Sequence, residues 1–274
     1  MVVNAADNGN KSHTSSLKIL VVDDDEMNRR MMRLLLTRDG HDVQVAVNGI
    51  EALETVKDQK FDVVFMDLQM PIMDGLEASY RIREWENGGV RTYIVALTAS
   101  YLPEEGHLLF EAGIDNYISK PFEVDHIHRL LGLIAGNKQA AEEKEKATLK
   151  GTAVPIEVLD IRKGIERVGG DPQAYKELLS DFIHELPERI KVLEQLSQQQ
   201  DMISLARAAH NLKGVSLNLG ALQLSEYAAK LDKQSNESYT DHDQALLLEL
   251  KKAETRLEKI ATEFLLQETT VAST

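Results

Sequence analysis

Not one cysteine occurs in the 274 residues. That absence excludes a disulfide framework, thiolate zinc sites, iron–sulfur clusters and cysteine nucleophiles together. Any metal must sit on oxygen or imidazole. Positive charge is also in deficit: 31 basic residues stand against 45 acidic ones, for a net charge of −14. Such a field repels phosphate backbones and anionic membranes, so no nucleic-acid partner is expected. Long apolar runs are missing too. The first sixteen residues are polar and lack the roughly 7–15-residue apolar core of a signal peptide, and no later run approaches the roughly 18 residues of a membrane span. A cytoplasmic protein without membrane insertion is expected. Proline is scarce at 6 residues, glycine numbers 16, and 43% of the chain is hydrophobic against 28% charged, the balance of a globular protein rather than a disordered or fibrous one.

At roughly 100–200 residues per domain the length predicts about two domains. Residues 1–16 read as a disordered tail rich in Asn, Ser, Ala and Gly. Apolar runs at Lys18–Val22, Val43–Val47, Asp62–Met66, Tyr93–Leu97 and Asn116–Ile118 then alternate with helical stretches near 26–38, 49–58, 75–86, 103–112 and 123–135. This (βα)₅ alternation predicts an α/β doubly wound parallel sheet over residues 17–136, with near-continuous apolar strands buried on both faces. The stretch 137–155 contains AAEEKEKATLK and reads as a charged linker. Beyond it no strand alternation recurs. Leu, Ile and Ala fall at helical spacing around 158–168, 172–198, 201–217, 221–234 and 241–266, with Asp171 before Pro172, Asp201 and Asp241 as N-cap candidates. An all-α antiparallel helical bundle over 156–267 is predicted, followed by a tail over 268–274.

In a doubly wound sheet, ligands bind outside the carboxyl ends of the strands. Those ends carry Asp23-Asp24-Asp25 after the first strand, Asp67 after the third, Thr98-Ala99-Ser100 after the fourth and Lys120-Pro121 after the fifth. Converging carboxylates raise one another's pKa unless a cation joins them, and Mg²⁺, which prefers oxygen ligands, fits a set without histidine. Asp67 is then suited to attack phosphorus and form an aspartyl phosphate. Lys120 supplies a point charge and Thr98 a hydroxyl for the phosphoryl oxygens. The bland alternative, a solvated turn and a surface lysine, suits each residue alone but not the whole set.

The segments ILVVDDDEMNRR, VVFMDLQMPIMDG, ALTAS and YISKPF make this region resemble the receiver domain of two-component response regulators, a flavodoxin-like fold. The resemblance implies that Asp67 is the phosphoacceptor and that Asp24, Asp67 and the carbonyl of Gln69 bind Mg²⁺, with Asp23 assisting through water. It implies Thr98 and Tyr117 as a switch pair, and Lys120, before a commonly cis Pro121, as the residue holding the phosphoryl group. Asp25 receives no role. Asp23-x-Asp25 also mimics the first motif of haloacid-dehalogenase-like phosphatases, but Met27 stands where that motif carries Thr or Val, and the reading leaves DLQMPIMDG unexplained. An EF-hand loop fails because Asn28 occupies the position that needs Gly.

In the bundle, Leu205, Ala208, Ala209, Leu212, Val215, Ser216 and Leu219 fall within about 120° of arc, and His210 lies about 160° from the centre of that stripe at roughly 100° per residue. His210 is therefore expected to project outward. Gly214 lies one turn on, where glycine costs roughly 1 kcal/mol of helix stability and leaves room for a partner, and Lys213 offers a positive charge. The segment AHNLKGVSLNLGA resembles a histidine-containing phosphotransfer (HPt) domain, which implies a four-helix bundle carrying phosphate on His210 Nε2, without ATP binding or self-phosphorylation. His126 and His128 face different directions and form no metal pair; His13, His41, His107, His184 and His242 read as surface or edge residues. Met27, Met31, Met32, Met66, Met70 and Met73 read as packing.

Together these expectations describe a phosphorelay protein with an aspartate and a histidine acceptor. Its partners are a sensor histidine kinase as phosphodonor and a receiver domain or response regulator docking on the bundle through Lys213 and Gly214. Whether it counts as an enzyme is left open, since receivers phosphorylate and dephosphorylate themselves but no ATP-dependent kinase domain is evident. Two alternatives remain: a phosphorylation-switched scaffold with His210 unused, and the C-terminal part of a hybrid sensor kinase. A flexible linker of about 19 residues has a root-mean-square span of roughly 24 Å, so exchange within one chain is expected unless a partly helical AAEEKEKATLK holds the sites apart.

Overall fold

The computed structural model describes residues 16–98, 106–136, 158–237 and 242–266. Five short apolar segments become the strands β1 (Lys18–Val22), β2 (Asp42–Ala46), β3 (Val63–Asp67), β4 (Tyr93–Thr98) and β5 (Asn116–Ser119). All neighbours pair in parallel in the order β2-β1-β3-β4-β5. Parallel strands need helical crossovers, and these are α1 (Glu26–Arg38), α2 (Gly49–Asp58), α3 (Gly75–Glu86) and α4 (Gly106–Glu111), with α5 (Val124–Ile134) closing the domain. The order reverses between β1 and β3, so the carboxyl ends of those two strands flank the crevice where doubly wound sheets place ligands.

Successive strand residues point to opposite faces, and each face builds its own core. Leu20, Val22, Val64, Met66, Ile94 and Ala96 pack with Ala52, Val56, Ala78 and Ile82 of α2 and α3. Ile19, Val21, Phe65, Val95 and Leu97 pack with Met32, Leu35 and Leu36 of α1 and Ile127, Leu130 and Leu131 of α5. Burial on both faces is why the strands read as apolar runs instead of alternating ones.

Among the described residues of the second half the regular elements are all helices: α6 (Ile161–Arg167), α7 (Pro172–Gln198), α8 (Met202–Asn218), α9 (Leu222–Glu237) and α10 (His242–Leu266). Asp171 caps α7, accepting from the amides of Gln173 and Ala174 with Pro172 in the first turn, and Asp201 caps α8 through Ser204 N. Asp241 and the linker fall outside the described residues. Tyr175, Phe182, Leu186, Leu205, Leu212, Leu224, Leu231, Leu250 and Leu257 fill the bundle interior.

That interior does not stop at the bundle. Met27 and Met31 of α1, each 1% exposed, belong to the bundle's hydrophobic cluster. One helix thus serves two cores: Met32, Leu35 and Leu36 face the sheet, while Met27 and Met31, one turn apart, face α7 and α8. No helix among the described residues is long and apolar enough to cross a membrane.

Candidate functional site

The polar residues at the strand ends converge. Lys120 Nζ lies 2.8 Å from Asp23 Oδ2 and 2.8 Å from Asp67 Oδ2, and all three side chains are buried. The Lys120 amide donates to the Thr98 carbonyl at 2.6 Å, which fixes the backbone from which the side chain reaches the pocket. The Lys120–Pro121 bond is cis. Asp67 Oδ1 accepts from the Gln69 amide at 3.3 Å. Asp23 Oδ1 accepts from the Asp25 amide at 2.9 Å and from Asn28 Nδ2 at 3.2 Å.

Charge and burial compete here. Burial raises the Asp23 carboxyl; the Lys120 ammonium pulls it down and Asp67 pushes it up again, leaving it at about 6. Burial likewise raises Asp24, against a hydrogen bond from Asn211. For Lys120, burial opposes the charge, but Asp23 and Asp67 outweigh it and hold the amine protonated.

Asp23, Asp24 and Asp67 each offer an oxygen within 4.8 Å of the others. Asp24 Oδ1 is buried without a hydrogen-bond partner, which marks a direction in which an oxygen-seeking cation is accommodated. The donor set, carboxylates only, is that of a hard divalent ion.

A glycine fixes this geometry. A Cβ on Gly75 would stand 2.1 Å from the Asp67 carbonyl oxygen, so only glycine lets the start of α3 return against the end of β3. Thr98 is buried at the end of β4, and Tyr117 is partly buried on β5 against the α2–α3 core.

His210 does not project into solvent: it is 6% exposed. The helical-wheel expectation was right about the face and wrong about what covers it, because the side opposite the bundle stripe lies against the receiver half. Asn211 Nδ2 donates to Asp24 Oδ2 at 3.0 Å, and Asn218 Nδ2 donates to Asn28 Oδ1 at 3.2 Å. A Cβ on Gly214 would lie 3.9 Å from Lys120 Cδ and 3.9 Å from Asn28 Nδ2, so this glycine is buried yet meets only ordinary contact distances. Gly214 and Asn218, one turn apart on α8, therefore lie against Lys120 and Asn28 at the edge of the acidic pocket.

Two further residues escaped the sequence reading. Asp232 of α9 sits 3.1 Å from His210 Nδ1 and 3.7 Å from Lys213 Nζ, so Lys213 faces a carboxylate rather than standing alone. With Asp232 accepting, the proton is assigned to Nδ1 and the lone pair to Nε2. Asp25, given no role above, caps α1 and pairs with Arg189 of α7. The partners that give them these roles, His210 for Asp232 and Arg189 for Asp25, are tertiary contacts that no motif carries.

The strand ends thus bring carboxylates and an ammonium into one buried pocket, and α8 of the helical half reaches it through Asn211. Comparison with known families agrees: the response regulator receiver domain model matches residues 19–132 and the Hpt domain model residues 177–260. The chain thus carries a receiver domain followed by an Hpt domain. It is 29% identical over 259 residues to the sensor protein GacS of Pseudomonas syringae pv. syringae, which covers 92% of this chain and 28% of that protein. It is 27% identical over 230 residues to the aerobic respiration control sensor protein ArcB of Escherichia coli, covering 83% of this chain and 29% of the relative. The chain thus spans under a third of these relatives. Among solved structures, the receiver domain of the sensor histidine kinase PA1611 from Pseudomonas aeruginosa, determined with magnesium in its active site cleft, is 33% identical, with 44% of this chain and 99% of that one covered at a TM-score of 0.41.

Proposed function

We propose that Asp67 accepts a phosphoryl group from a phosphohistidine donor and exchanges it with His210. The observation that carries this reading is the seating of α8 over the pocket, with Asn211 on Asp24 at 3.0 Å and Gly214 beside Lys120. In the charging step an Asp67 carboxylate oxygen attacks phosphorus, the P–N bond of the donor breaks and its imidazole departs. In the transfer step His210 Nε2 attacks the phosphorus of the aspartyl phosphate, the P–O bond breaks, and the Asp67 carboxylate is the leaving group. Lys120 stays charged throughout and faces the oxygens that gain charge. Asp232 accepts from Nδ1 and disperses the positive charge that His210 acquires.

Asp23, Asp24, Asp67 and the Gln69 carbonyl are the residues that would hold Mg²⁺, which when bound neutralises charge on the phosphoryl oxygens. Thr98 and Tyr117, on neighbouring strands beside the pocket, are read as the pair that reports phosphorylation. The partners are a sensor histidine kinase as donor and a receiver as recipient, in the cytoplasm. The domain limits are taken as 17–136 and 156–267, with the linker between.

Intact mass after incubation with acetyl phosphate and Mg²⁺ tests the assignment. A base-labile phosphate absent from Asp67→Asn, and an acid-labile one absent from His210→Gln, are expected. An undiminished adduct in either variant counts against the residue concerned.

A further inference from the structure

The phosphotransfer reading uses Asp23 and Asp24 but leaves the third member of the acidic triplet idle. Asp25 divides its carboxylate between two tasks. Oδ1 accepts from the amides of Met27 at 2.8 Å and Asn28 at 3.2 Å, capping α1. Oδ2 accepts from Arg189 Nη1 at 2.5 Å, across the boundary between the two domains. The Asp25 side chain is 5% exposed and that of Arg189 23%, and Glu185 holds the guanidinium from the other side at 3.0 Å.

The pair sits within a continuous seam. Arg30 meets Asp181 at 2.6 Å, and Asp181, Glu185 and Arg189 follow at one-turn spacing along α7. Arg38 donates to the Gly169 carbonyl, and Met27 and Met31 are buried in the bundle core between these polar contacts. An apolar centre flanked by matched charges is the anatomy of a specific interface.

We propose that Asp25 and Arg189 form a charge latch that selects the chain's own phosphotransfer bundle as the docking partner of its receiver. The physical reason is asymmetry. A buried carboxylate that loses its cation pays its desolvation without compensation, so a bundle presenting an acidic or apolar residue in place of Arg189 is rejected. The latch also covers the pocket, so a donor acting from outside must displace α8 before it reaches Asp67. The functional consequence rests on the phosphotransfer reading; the docking itself does not.

The chain holds no cysteine, so a pair of introduced thiols is unique. Arg30→Cys with Asp181→Cys replaces an exposed ion pair whose own contribution is small. A short bis-maleimide is expected to give a cross-linked monomer whose yield stays constant on dilution. Adding Arg189→Glu should lower that yield by about tenfold while leaving helix content unchanged, and Arg189→Lys should retain most of it. A yield that falls with concentration, or one indifferent to Arg189→Glu, overturns the latch. The same samples, charged with acetyl phosphate, keep the two readings apart. Efficient Arg189-dependent cross-linking without phosphate on His210 upholds the latch and sinks the transfer reading. Phosphate on His210 with cross-linking indifferent to Arg189 does the reverse.

Discussion

At His210 the decisive neighbour is Asp232. An imidazole that donates Nδ1–H to a carboxylate presents Nε2 as the nucleophile, and without that acceptor the two tautomers compete. Asp232→Ala is therefore expected to slow phosphate uptake on His210 by about tenfold or more, with Asp232→Glu restoring part of the rate. A rate unchanged in Asp232→Ala would show that His210 does not depend on this carboxylate. In the acidic pocket the corresponding residue is Asp24, whose Oδ1 is buried and unpartnered. Mg²⁺ should raise the melting temperature of the protein in a saturable way, because a ligand bound only to the native state stabilises it by mass action, by about 2.7 kcal/mol at a hundredfold excess over Kd. Asp24→Ala should abolish that rise. The same rise in the variant would place the ion elsewhere.

At the scale of elements, the turn from β3 into α3 is fixed by Gly75. A methyl group there meets the Asp67 carbonyl at 2.1 Å, so Gly75→Ala must push α3 away from the sheet or twist the acceptor strand. Overpacking of this kind costs typically 1–3 kcal/mol, and thermal melting should show a loss in or above that range. A neutral substitution would mean that the turn has slack. On the opposite side, His128 of α5 pairs with Asp39 at the end of α1 at 2.7 Å, and that hydrogen bond, against partial burial, raises the histidine's pKa. A base whose folded pKa exceeds its unfolded value contributes stability fully below the unfolded pKa of about 6.5 and loses it as pH rises through the folded value. His128→Gln should therefore cost more stability at pH 5.5 than at pH 8.5. The difference should be well below about 1 kcal/mol, because the ring is half exposed. Equal losses at both pH values would show that the pair carries no charge.

At the scale of the whole molecule, what was legible in the sequence was whatever depends on local pattern. Strands β1 to β5 and helices α1, α2, α3 and α7 stand within a residue or so of their expected places, because apolar runs and N-cap aspartates act within a few residues of chain. The pocket was legible because one topology brings every strand end to the same edge. What depends on how the two halves meet was not. His210 carries an outward-facing wheel position, and no count of degrees says that another domain will cover it. Met27 and Met31 read as packing residues, but their core is the bundle's rather than the sheet's. Asp25 looked idle because its partner lies 164 positions away.

In the proposed transfer His210 takes its phosphoryl group from Asp67 of the same chain. The most direct measurement charges Asp67 with acetyl phosphate and Mg²⁺, removes the reagent, and follows phosphate on His210 by intact mass over a wide range of dilution. A first-order rate independent of protein concentration is expected, with no phosphate on His210 when Asp67→Asn and His210→Gln chains are mixed at low concentration. A rate proportional to concentration, with transfer restored in that mixture, would contradict it and assign the two sites to different partners.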